Sequence, residues 1–131
     1  MTTHGMLLVG LLALCGVGHL LSAGEAEDRA AARKLQEDGN YQEAVVLFRK
    51  LLANPTVDPV QVPGDLQRGL DCLMRLGQQA DLDGFLEDAI AVHGGNWRLL
   101  RQAANVYAGS LPHHGQLICG EFHRGYFGGG R

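Results

Sequence analysis

Apolar residues in the middle of the chain recur with the period of a helix. In GNYQEAVVLFRKLLANP, starting at Gly39, Ala44, Leu47, Phe48, Leu51 and Leu52 fall at i, i+3, i+4, i+7 and i+8, one face of an α-helix. The same spacing returns in GQQADLDGFLEDAIAVHGG at Leu82, Phe85, Leu86, Ala89 and Ile90, each displaced by 38 positions. That displacement also carries Gly39 onto Gly77 and Leu35 onto Leu73. The repeating unit is therefore helix–turn–helix.

The first unit opens at about Glu25 with AEDRAAARKLQED, whose acidic residues favour the positive end of a helix dipole. Gly39-Asn40 ends that helix, because glycine tolerates the left-handed cap conformation. A second helix runs from about Tyr41 to Ala53. The connector PTVDPVQVPGD carries three prolines, which disfavour helix continuation. The next opening helix, LQRGLDCLMRL, places Leu66, Leu70 and Leu73 on one face, and its partner ends at His93-Gly94-Gly95. Asn96 is a good N-cap for a fifth helix, WRLLRQAANVYAG, with Trp97, Leu100, Ala104 and Tyr107 predicted as its core stripe. Pro63, Leu66, Leu70 and Leu73 map onto those four with a displacement of 34. Trp97, Phe48, Phe85 and Tyr107 are all expected in the core.

The N-terminus is a separate object, since every Asp, Glu, Lys and Arg lies after residue 24. MLLVGLLALCGVGHLL is short and Gly-interrupted for a membrane span, and the small residues Ser22-Ala23-Gly24 follow it. That order predicts an export signal over residues 1–23, cleaved after Ala23 or Gly24, although MTTHG lacks Lys and Arg. An uncleaved N-terminal anchor is the alternative. Either way the chain is expected to be exported, to a periplasmic or extracellular location, with membrane contact only through this segment. A net charge of −3 and pI near 6.0 leave no basic excess for phosphates, which argues against a nucleic-acid partner. Signal removal would leave Cys72 and Cys119, which could pair in an oxidising compartment. Cys72, within a helical pattern, reads as a small, partly buried residue.

The residues Gly39 to Phe48, with Ala32, Leu35 and the Trp97-x-x-Leu100 opening, resemble the tetratricopeptide repeat family over roughly residues 26–110. The resemblance implies an all-α fold of tetratricopeptide-like helical hairpins, about two and a half repeats over residues 25–110, followed by a Gly-rich irregular tail over 111–131. Departures from the family pattern are Leu82 and Leu70 at positions that should be small, Pro55 one position early, and Gly94 in place of the terminal proline. A second, narrower resemblance rests on the export signal, the degenerate repeat pair, NWRLL and GEFHRG. Together these are similar to the N-terminal segment of some large bacterial alpha-2-macroglobulin-like proteins. It implies the front of a protease-trapping protein that lacks the bait and thioester regions.

Candidate chemistry is sparse. Cys119-Gly120-Glu121-Phe122 looks like a thioester motif, but Phe122 supplies no acyl group where the chemistry requires Gln. His113, His114, Cys119, Glu121 and His123 could make a metal-binding tail, yet no recognised ligand spacing organises them. RGYFGGGR has two arginines in an acidic chain and reads as linker rather than RNA contact. No nucleophile–base pair, phosphate loop or cofactor motif is present, so an enzyme is not expected. If the units curve as the tetratricopeptide resemblance implies, Arg29, Arg33, Arg75, Arg98, Arg101 and Asn105 approach the concave face. Their guanidiniums could there grip the carboxylates of an acidic or C-terminal peptide. The competing reading is a solvated face whose charge is balanced by Glu37 and Asp71. The expectation is a non-catalytic module that binds a protein or peptide partner. Its lone fifth helix leaves an apolar flank for a neighbour to cover.

Overall fold

Two antiparallel pairs of helices and one further helix follow each other in the computed structural model, which describes residues 17–111 and 115–124. The helices are α1 (Val17–Glu37), α2 (Tyr41–Leu52), α3 (Val62–Arg75), α4 (Leu82–His93) and α5 (Trp97–Asn105). They share one core, in which Ala32, Phe48, Leu66, Leu70, Phe85 and Leu86 are buried. Each large side chain among them contributes about 1.5–3 kcal/mol by leaving water. The fold is all-α and built from helical hairpins, as the periodicity predicts.

The two interhelical turns are the same object. Gly39 and Gly77 both take positive φ, 84° and 72°. Asn40 N–H donates to Leu35 O at 2.8 Å and Gln78 N–H to Leu73 O at 3.0 Å. Gly39 N–H donates to Gln36 O at 3.2 Å and Gly77 N–H to Met74 O at 3.1 Å. This bond pair satisfies the last carbonyls of α1 and α3, and it needs a left-handed residue that glycine supplies without strain. The copies then diverge. α2 starts at once from Asn40, whereas a 3-10 turn, Gln79–Asp81, precedes α4.

α1 starts earlier than the acidic cluster suggests, and its backbone runs unbroken through Ser22, Ala23 and Gly24. Its first turn therefore holds no acid, and Glu25 sits mid-helix with other partners. Residues 1–16 of the expected signal lie outside the described residues. Among the described residues no helix is long and apolar enough to cross a membrane. The proline-rich connector is tied down locally. Asn54 Oδ1 accepts from Thr56 N–H and Thr56 Oγ1 at 3.0 and 2.7 Å, and Val57 drops into the core. α3 begins a turn before Leu66, with Pro63 in its first turn, where the missing N–H costs nothing.

α5 corrects the predicted stripe. Leu99, Ala103 and Val106 are buried, while Trp97, Leu100 and Tyr107 are 57%, 41% and 38% exposed and Ala104 is exposed as well. Phe48 and Phe85 are core, but Trp97 and Tyr107 are not. Both stripes have helical spacing and differ by about 100°, the rotation of one residue. Packing decides between them. Each stripe has an alanine at its middle, so the ends decide. The Trp97 and Tyr107 rings would hold α5 off α3 and α4 and bury polar tips without partners, whereas Leu99 and Val106 fit. Asn96 caps the helix as expected, accepting from Arg98 N–H at 3.1 Å. A single π turn, Val106–Ser110, then returns Leu111 to the core.

The tail is not wholly irregular. Gly115–Ile118 (β1) and Glu121–Arg124 (β2) form an antiparallel hairpin with Leu117 opposite Phe122. Cys119 and Gly120 both have positive φ, 53° and 88°, which matches the right-handed twist of paired strands. Phe122 lies over Gly115, where a Cβ would collide with its ring. His113, His114 and residues 125–131 lie outside the described residues.

Candidate interaction surface

The arginines predicted to share one face divide into three groups. Arg29 is buried and committed. Its Nε reaches both Asp65 oxygens at 3.0 and 2.8 Å, and one terminal nitrogen reaches Glu25 Oε1 at 2.8 Å. Glu25 in turn accepts the Asp58 backbone N–H at 3.2 and 3.3 Å. Through this set the start of α3 and the connector are held to α1. Asp65 is 1% exposed, and burial pushes its carboxyl above the ordinary range while Arg29 and Arg33 pull the other way. Burial also opposes charge on Arg29, but the hydrogen bonds and charges of Glu25 and Asp65 outweigh it and raise its pKa. Arg33 is half-buried beside this set, with its Nε enclosed and without a hydrogen bond. Arg29 is thus an internal brace rather than a partner-gripping group.

Arg75 lies at the far end of α3, about 15 Å along the helix from Asp65. Its guanidinium stacks on Tyr41 at 5.5 Å from the ring centre. Neighbouring side chains bridge the helices through neutral amides: Arg68 donates to Gln36 at 3.0 Å, and Gln102 to Gln67 at 2.7 Å.

The third group is on α5. Arg98 and Arg101 both lie over the Trp97 ring, at 4.7 and 5.4 Å from its centre. Cation–π contact of this kind is worth about 0.5–1 kcal/mol at an exposed site. Neither guanidinium has a carboxylate partner among the described residues. Asn105, exposed, ends the same helix. The result is an aromatic platform with two positive arms beside the exposed side chains of Leu100, Ala104 and Tyr107.

Sequence reasoning missed two features. Arg124 on β2 forks onto Asp83 of α4, with bonds of 2.8 and 2.9 Å, fastening the hairpin to the helices. No local pattern announces it, because the partners are 41 positions apart. A groove of about 360 Å³ also opens between α2 and α4, over Leu52, Phe85, Ala89 and Val92, with Arg49 and Asp88 at its rim. Cys72 is buried, its thiol pushed up by that burial, while Cys119 is exposed at the hairpin turn, and the two are not bonded. Among the described residues no group of three or more His, Cys, Asp or Glu is gathered to hold a metal ion.

Against known proteins, no family model, curated protein or solved structure matches the chain.

Proposed function

We propose that this chain is a non-catalytic, exported helical-repeat module that binds a protein or peptide partner through the outer edge of α5. The observation that carries the reading is Trp97, 57% exposed and contacted by Arg98 and Arg101, neither of which has a carboxylate partner among the described residues. A rigid ring offers contact area at small entropic cost, and guanidiniums grip carboxylates bidentately. Trp and Arg are also the residue types that dominate binding hot spots. The matching turns at Gly39 and Gly77 support the repeat reading, and the tetratricopeptide resemblance supports a role in recognition. The partner group on α5 is Arg98, Arg101 and Asn105, while Arg29 serves the fold.

The test uses a labelled oligoglutamate peptide with a free C-terminal carboxylate, with oligolysine as control, read by fluorescence anisotropy. Binding should weaken on amidation and in salt. Replacing both Arg98 and Arg101 by Ala should cost about tenfold or more in affinity, since each hydrogen-bonded charge is worth about 1.5–3 kcal/mol. Equal binding of the oligoglutamate by the double variant would sink the reading.

A further inference from the structure

Among the described residues, the helical stack carries exposed charge of opposite sign at its two ends, although Glu37 also feels Lys34. At the α5 end, Arg98 and Arg101 stand beside exposed Trp97 and Leu100. At the other end, the exposed side of α1 shows Ala26, Glu27, Ala30, Ala31, Lys34 and Glu37. Lys34 is neutralised by Asp38 at 2.9 Å. Glu27 and Glu37 have no ion pair or side-chain hydrogen bond among the described residues. One surface is therefore bulky, apolar and positive, and the other is flat, alanine-lined and negative.

We infer that the α5 face of one copy docks on the α1 face of another, head to tail, with Trp97 seated over the alanines and Arg98 and Arg101 meeting Glu27 and Glu37. This rests on the interaction-module reading and names its partner as a second copy of this chain. The dimensions agree. A ring over Ala31 lies about 6 Å along the helix from Glu27 and about 9 Å from Glu37. Guanidiniums at 4.7 and 5.4 Å from the ring centre, on long flexible side chains and met by extended Glu side chains, have the reach for both intervals. Alanines leave room for the ring, and the contact covers the flank that a further repeat would cover. Because the two surfaces differ, the contact is heterologous and adds copies head to tail, into a ring where the rotation closes and an open chain where it does not.

Sedimentation equilibrium on the full chain tests this. The wild-type mass should rise with concentration and fall with added salt. Glu27→Arg/Glu37→Arg and Arg98→Glu/Arg101→Glu should each weaken association by at least about tenfold, since like charges then face each other. An equimolar mixture of the two variants restores opposite charges at every contact and should associate again. That recovery also shows that both variants are folded. A wild-type chain that stays monomeric, variants that associate like wild type, or a mixture that stays monomeric would each overturn head-to-tail docking. Arginine-dependent oligoglutamate binding by a monomeric chain would overturn only the self-docking and leave the module reading standing.

Discussion

Replacing Arg29 by Met removes the one cation that, among the described residues, is hydrogen-bonded to the carboxylate of Asp65, which is 1% exposed. Met preserves most of the stem volume, so the loss falls on the charge and its bonds. Asp65 would lose contacts of 3.0 and 2.8 Å and could not turn to water without unseating the first turn of α3. Breaking a buried pair by removing one member costs about 3–5 kcal/mol, a large share of the roughly 5–15 kcal/mol that stabilises a domain. Urea unfolding followed by far-UV circular dichroism measures the loss. The companion variant, Arg29→Met with Asp65→Leu, should recover most of it, because neither charge is then left unpaired.

The same pair fixes a pH signature. Asp65 already has a raised pKa in the folded chain, so the native state holds its proton more tightly than the unfolded state does. Its contribution is therefore present at low pH and lost as pH rises from the unfolded value, about 4, through the folded one. Removing Arg29 takes away the strongest opposing pull and pushes that upper limit higher. The cost of Arg29→Met should thus be greatest near neutral pH and shrink as pH falls toward about 4. A neutral-pH loss under about 1 kcal/mol, or a loss that grows on acidification, would refute the account of Asp65 as a buried carboxylate held by Arg29.

The α5 register predicts that Trp97→Ala costs at most about 1–2 kcal/mol, the value of its two cation–π contacts, while Leu99→Ala costs about 2–5 kcal/mol. Denaturant midpoints of the two variants, read by circular dichroism, should separate accordingly. Phe48→Ala, at a fully buried position, should lower stability by about 3–5 kcal/mol in the same assay. Gly69→Ala would drive a methyl group into the Phe85 ring and should cost about 1–3 kcal/mol by overpacking, seen as a lower thermal midpoint. Gly77→Ala meets no neighbour, so its loss, about 1 kcal/mol, should come from the positive φ alone.

Much of the helical frame is written locally. Gly39 and Gly77 mark their turns because only a residue without a Cβ accepts those dihedrals freely, and Asn96 caps α5 through its own side chain. Phe48 and Phe85 fall on stripes that the 3.6-residue period reveals directly. The α5 stripe was ambiguous for the same reason: two sets of residues one position apart both fit the period. Only the space left by α3 and α4 selects the set with Leu99 and Val106 over the set with the Trp97 and Tyr107 rings. The candidate surface was legible in part. The sequence places Arg98, Arg101 and Asn105 on an accessible face, but its helical period puts Trp97, whose ring both arginines stack on, in the core. Arg29 looked like its neighbours in the chain, yet it meets Asp65 across 36 positions, which periodicity cannot register.

The sequence by itself determined the all-α class, the repeated hairpin and its turns, because helix period and glycine conformation act within a few residues. Tertiary structure alone decided which arginines face solvent, which side of α5 is covered, and how the hairpin is fastened by Arg124 to Asp83. Those outcomes depend on pairings and shapes brought together from distant parts of the chain, and burial energy is settled only where surfaces meet.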